Sequence, residues 1–332
     1  MGIQFRKQRH SIEEYAKGIM QGDRIMLSKA ITLVESKLHI DNELAELLLE
    51  KLLPHTSNTL RIGVTGVPGA GKSTFIEAFG KFLTARSKKV AVLTIDPSSQ
   101  KTKGSILGDK TRMEELSNDP MAFVRPSASG DQQGGVHSRT REAMLLCEAA
   151  GFDVIIIETV GVGQNETSVK GLVDFFLLLM IAGAGDELQG IKRGIMEMAD
   201  AILINKADGD NIIKSEQARR QYQNSLQLFP PNENGWKPAV LTCSSIDHTG
   251  LEQVYNMIVE FEKVNRLNGS FMLNRQQQNI QWMHDVITYQ LRNNFYDHND
   301  VREMLPGIEN SVEQGSLPAI TAAKKLMELF KK

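Results

Sequence analysis

The chain has 332 residues, 41% of them hydrophobic and 23% charged, with a formal net charge of -2. That composition is one of a soluble globular protein with room for one large α/β domain and helical additions, and it provides no basic field to draw the chain to nucleic acid. Two cysteines, Cys147 and Cys243, exclude a disulfide framework and fit a reducing compartment.

Met1 to His10 is polar and basic and lacks the apolar centre of a signal peptide, so a cytoplasmic location is expected. From Ser11 to about Leu53 apolar residues recur at helical spacing, first Leu27, Ile31, Val34 and Leu38, then Leu44, Leu47, Leu48 and Leu52. This predicts a helical N-terminal piece ended by Pro54. Between Thr59 and about Lys263, strands and helices alternate. The predicted strands are Arg61–Thr65, Val90–Ile95, Ala122–Pro126, Val154–Glu158, Phe175–Ile181, Ala201–Ile204 and Ala239–Thr242. They are mostly continuous apolar runs, as in a parallel sheet covered on both faces. Helices are expected between them, for example at Thr140–Ala150 and Leu251–Val264. The most apolar run, Phe175 to Ala184, is too short to span a bilayer and reads as a buried central strand; no membrane partner is expected. From about Gly269 onward only helices are predicted, Phe271–Phe295 and Ala319–Phe330, and their apolar faces need a partner, either their own domain or a second copy. The expected organisation is a helical extension over 1–58, a nucleotide-binding domain over 59–265 and a helical dimerisation region over 266–332. The fold class is α/β, a P-loop NTPase with a mostly parallel central sheet.

The stretch Gly66-Val67-Pro68-Gly69-Ala70-Gly71-Lys72-Ser73, followed by Thr74, is a complete phosphate-binding loop between a strand and a helix. Its glycines let backbone N–H groups turn inward, and the helix offers its positive end to the same anion. Lys72 should reach the β- and γ-phosphates, and the Ser73 hydroxyl should ligate Mg2+. Asn205-Lys206-Ala207-Asp208 lies at the carboxyl end of a predicted strand, where open α/β sheets bind ligands. A carboxylate there accepts both the ring N–H and the exocyclic amine of guanine, so Asp208 selects GTP and GDP. Asn205 either contacts the base or holds the phosphate loop, and the Lys206 stem covers the ring. Cys243, Ser244 and Ser245 follow the last strand, either as a base-contacting loop or as an ordinary capped turn.

Glu158, at the end of its strand, is placed as the carboxylate that holds Mg2+, and Gly161 as the residue whose N–H senses the γ-phosphate. Asp96, before Pro97, and Asp109, in the stretch 100–112, would complete a shell of hard oxygen donors. Lys72, Glu158, Gly161 and Asp96 are the expected catalytic set. Each acid has a plainer reading as a turn, cap or solvated loop residue.

Together, GVPGAGKST, TIDPSS, GSILGDKTRM, ETVGVGQNE, GAGDELQGIKRGI and NKAD resemble the MeaB/ArgK family of P-loop GTPases of the SIMIBI class, also labelled LAO/AO transport ATPases. The resemblance covers nearly the whole chain. It implies a GTPase chaperone that gates cofactor loading of an adenosylcobalamin-dependent methylmalonyl-CoA mutase, or a related acyl-CoA mutase, and protects it. It also implies a homodimer formed through the C-terminal helices, a Mg2+ shell of Ser73, Asp96, Asp109 and Glu158, and a further switch loop over Gly183–Gly194 containing Lys192.

A Ras-like order would put a water-positioning Gln directly after Gly161, but Val162 stands there and Gln164 comes two positions later. Slow hydrolysis accelerated by a partner is therefore expected. Arg112, Arg139, Arg141 and Arg193 are candidate sources of a cationic group. The alternatives are a metal-insertion GTPase, for which the scattered histidines and distant cysteines supply no ligand set, a kinase or ATPase linked to amino-acid transport, and a scaffold that binds GTP without hydrolysing it.

Overall fold

The computed structural model describes residues 9–36, 38–56, 58–96, 113–128, 135–159, 169–183, 193–230, 232 and 234–331. Three helices open this part of the chain: α1 Ile12–Met20, α2 Arg24–Val34 and α3 His39–Leu52. Ser11 and Glu14 form a capping box at the start of α1, and Asp23 caps α2 through bonds from the Ile25 and Met26 N–H groups. Their apolar stripes, with Ile19, Leu27, Ile31, Leu48 and Leu52 fully buried, join the same core as the sheet that follows.

The sheet consists of β1 Leu60–Gly66, β2 Val90–Asp96, β3 Ala122–Ala128, β4 Val154–Thr159, β5 Phe175–Ile181, β6 Ala201–Asn205 and β7 Ala239–Thr242. Its order is β3-β2-β4-β1-β5-β6-β7, and every pairing is parallel. The chain first adds strands on one side of β1 and then on the other. The crevice at the carboxyl end of β1 is therefore the topological switch point, where such sheets bind ligands. The run Phe175–Met180 is entirely out of solvent, as a strand sandwiched between two helical layers must be.

The intervening helices are α4 Lys72–Thr84, α5 Glu114–Ser117, α6 Gly135–Ala149, α7 Arg193–Met198, α8 Ile212–Leu226 and α9 Leu251–Leu267. α4 buries Phe75, Ile76, Phe79 and Leu83 on one face. At about 2 kcal/mol for each large apolar side chain, that face anchors the phosphate loop to the core.

Three helices close the chain: α10 Ser270–Asp297, α11 Asn299–Glu313 and α12 Ala319–Phe330. α11 carries Pro306 in its interior, yet Val301, Leu305, Ile308 and Val312 keep helical spacing across it. Its formation follows from packing, because Val301 and Ile308 bury against Ala322 and Leu326 of α12 in a small core separate from the main one. The base of α10 instead belongs to the main core through Phe271.

Candidate functional site

The phosphate loop leaves β1 at Gly66, which pairs with Leu179 of β5. A Cβ at Gly66 would stand 2.3 Å from the Leu179 carbonyl oxygen, so only glycine allows this approach. Gly71 caps α4 in the left-handed region at φ 80°, and a Cβ there would meet the Asn205 amide nitrogen at 3.0 Å. Because α4 starts at Lys72, the N–H groups of its first turn have no partner inside the helix and face the loop.

Lys72 reaches back over the loop, its Nζ donating to the Gly66 carbonyl at 2.9 Å. Burial lowers the Lys72 pKa from its ordinary value, and the nearby Glu158 carboxylate opposes that shift. The next residue, Ser73, donates its hydroxyl to Glu158 Oε1 at 2.8 Å. Strand pairing explains the meeting: Glu158 lies opposite Val64 in the β1–β4 ladder, two residues before Gly66, where the loop begins. A serine hydroxyl and a buried carboxylate in contact are hard oxygen donors suited to Mg2+. One residue on, Thr159 donates its hydroxyl to Thr65 at 2.9 Å, tying β4 to β1 where the loop begins. Sequence reading did not single out this pair, and only the register reveals it.

Asp96 ends β2 at the same edge of the sheet; its side chain, Asp109, Gly161 and most of the Gly183–Gly194 segment, Lys192 included, lie outside what is described. Among the described residues, no group of three or more His, Cys, Asp or Glu side chains could hold a metal ion.

The residues expected to read the base converge on the loop from β6 and β7. Asn205 donates its amide to the Ala70 carbonyl at 2.8 Å, so of its two expected roles the structure displays the loop-holding one. Its amide oxygen accepts from the Ser245 hydroxyl at 2.8 Å. Ser244 in turn donates to Asp208 Oδ2 at 2.7 Å, orienting the carboxylate. Lys206 is exposed and adopts φ 59°, a left-handed conformation uncommon for a residue with a side chain. The Asn211 amide stabilises that turn by donating to the Lys206 carbonyl at 2.7 Å. The Cys243 N–H is taken by the Ile204 carbonyl and the Ser244 N–H by the Thr249 carbonyl. Cys243 is buried, which pushes its thiol up to about 12; burial also raises the thiol of Cys147.

The other named arginines point away from this crevice. Arg139 donates to the Glu35 and Ser36 carbonyls beneath α2, and Arg141 to the carbonyls of Gln278 and Gly171. Arg112 and the side chain of Arg193 lie outside the described residues. Among the described residues no helix is long and apolar enough to cross a membrane.

A parallel sheet with a phosphate loop at its switch point, a hydroxyl–carboxylate pair beside it and an Asp-bearing loop at the carboxyl end of β6 is the architecture of a guanine-nucleotide hydrolase. Comparison with known proteins agrees. Residues 27–300 match the family model described as Methylmalonyl Co-A mutase-associated GTPase MeaB. The chain is 44% identical over 320 residues to GTPase ArgK of Escherichia coli (strain K12), covering 96% of this chain and 97% of the relative. It is 42% identical over 335 residues to the mitochondrial methylmalonic aciduria type A homolog of Mus musculus, covering 98% of this chain and 81% of that protein. A solved structure titled LAO/AO transport system kinase superposes with a TM-score of 0.77 at 39% identity, covering 97% of this chain and 98% of that one. With its phosphate loop, Glu158 and Asn205–Asp208 assembled in one crevice, this chain belongs to the MeaB/ArgK family and is a P-loop GTPase.

Proposed function

We propose that this GTPase is a nucleotide-switched chaperone of an adenosylcobalamin-dependent methylmalonyl-CoA mutase, or of a related acyl-CoA mutase, gating cofactor loading and protecting the mutase from inactivation. The observation that carries the reading is the match of residues 27–300 to a family model named for a methylmalonyl-CoA mutase-associated GTPase, joined to a nucleotide site whose loops are tied to one another. Ser245, Asn205 and Ala70 form one hydrogen-bonded chain, so occupancy of the base loop and order of the phosphate loop rise together.

Within the crevice, Lys72 neutralises the β- and γ-phosphates and the first-turn N–H groups of α4 hold their oxygens. Asp208, held by Ser244, reads the guanine edge. Ser73 and Glu158 would hold Mg2+, with Asp96 and Asp109 as further oxygen donors, and Gly161 would sense the γ-phosphate. When bound, Mg2+ supplies charge neutralisation of the triphosphate. A base-reading N–H falls to residues after Ser244, since those of Cys243 and Ser244 are engaged within the protein.

The working form is a homodimer in the cytoplasm. On α10, Leu273, Ile280 and Ile287 recur every seven residues, with Met283 and Leu291 between and beyond them, and all are about half exposed or more. A stripe of that period along a 28-residue helix suits the same stripe on a second copy. The free, buried cysteines suit a reducing compartment.

The test is co-purification of the chain with purified adenosylcobalamin mutase in GTP and in GDP, together with phosphate release. Nucleotide-dependent complex formation and faster hydrolysis with the mutase are expected. No complex in either nucleotide, with hydrolysis unchanged, would overturn the proposal.

A further inference from the structure

The residues Lys170 to Asp174 enter the amino end of β5, beside the start of β1, and two helices grip them by their main chain. Gln278 of α10 donates its amide to the Val173 carbonyl at 2.8 Å. Arg141 of α6 donates to the Gly171 carbonyl at 2.5 Å with one nitrogen and to the Gln278 carbonyl at 2.7 Å with the other. Its guanidinium also stands 5.7 Å from the Trp282 ring, one turn further along α10. Arg275, one turn earlier, holds both oxygens of Asp174 at 2.8 and 2.7 Å and the Thr59 carbonyl at 2.5 Å. The same Asp174 carboxylate accepts the N–H of Arg61, near the start of the strand that becomes the phosphate loop.

Arg141, Asp174, Arg275 and Gln278 are all buried. A shift of the Lys170–Asp174 turn relative to α10 would strip donors from carbonyls that have no water to replace them. The turn and the helix are therefore constrained to move together or to exchange one complete bonding pattern for another. Beyond Gln278, α10 continues for about five more turns, mostly exposed until Phe295 packs on the α11–α12 core, so a change of direction at this junction is carried along a rigid helix.

We infer that Gln278 and Arg141 are positioning residues that couple the nucleotide state of the GTP site to the orientation of α10, through the backbone of Lys170 to Asp174. The inference needs only the GTPase activity and stands whether or not the partner is a mutase.

Hydrogen exchange on the full chain tests it, with Mg·GDP compared with a Mg-bound non-hydrolysable GTP analogue. In the wild type, amides of Lys170–Asp174 and of 280–297 are expected to differ in protection by about fivefold or more between the two states. Gln278→Met keeps the bulk of the side chain and removes its donors; Arg141→Lys keeps the charge and removes the two-way reach. Either variant should bind both nucleotides like the wild type and lose the difference over 280–297. A purely structural role would lower protection equally in both states and leave the difference intact. That result in either folded variant, or a wild type with no difference over 280–297, would overturn the coupling.

Discussion

Asn205→Ala asks whether the base loop and the phosphate loop act as one unit. Asn205 is 1% exposed, and its amide bridges the Ala70 carbonyl and the Ser245 hydroxyl, each at 2.8 Å. Each neutral hydrogen bond contributes about 1 kcal/mol net, and truncation also leaves a buried carbonyl and hydroxyl without partners, for a total of about 2–4 kcal/mol. If those bonds order the loop for nucleotide, GDP affinity should fall about 30- to 700-fold. Ser245→Ala removes only one of the two bonds and should cost about tenfold or less. Titration with a fluorescent GDP, alongside urea unfolding of the same proteins, separates binding from stability. An Asn205→Ala variant that binds GDP within about twofold of wild type, while losing the full 2–4 kcal/mol in unfolding, would refute the reasoning.

Asp208→Asn should weaken GTP binding and improve binding of xanthosine triphosphate, measured by competition; an unchanged preference for GTP removes Asp208 from base reading. Lys72→Ala should abolish GTP turnover while leaving the circular dichroism spectrum unchanged, since its ammonium donates to the Gly66 and Val67 carbonyls of the loop rather than to the core. Glu148→Ala strands the buried Arg61 guanidinium, now held at 2.6 Å, and should cost about 3 kcal/mol in denaturant unfolding. The Cys243 thiol is raised from 9.0 to about 12 by burial, so the folded state holds its proton more tightly than the unfolded state. Its contribution to stability is present below pH 9 and is lost as pH rises toward 12, where Cys243→Ala should flatten the decline in melting temperature.

The strands were legible because each is an apolar run long enough to cross the sheet and short enough not to be a helix. Arg61–Thr65 extends to Leu60–Gly66 and Val154–Glu158 to Thr159, one residue at an end, while Phe175–Ile181 needs no change. The sequence over α11 keeps helical spacing at Val301, Leu305, Ile308 and Val312, with Pro306 in its interior obscuring it, and burial of Val301 and Ile308 against α12 offsets the missing hydrogen bond. The loop glycines were legible as a motif, although the reason for Gly66 is a carbonyl of β5 that no local pattern reveals.

Sequence alone determined the chemistry that resides in contiguous atoms. Gly66 to Ser73 carries the glycine spacing of a phosphate-binding loop, and Asn205 to Asp208 carries the carboxylate expected to read guanine, each as one contiguous motif. Tertiary structure decided which of these segments meet. Ser73 and Glu158 lie 85 positions apart, Ala70 and Asn205 135, and Asp174 and Arg275 101. Their contacts depend on strand order and register, which the apolar runs leave open because every buried parallel strand presents the same hydrophobic faces to its neighbours. Register then brings Ser73, Glu158, Ala70 and Asn205 to the crevice where the sheet reverses its order, and Asp174 and Arg275 to the opposite, amino end of the same strands.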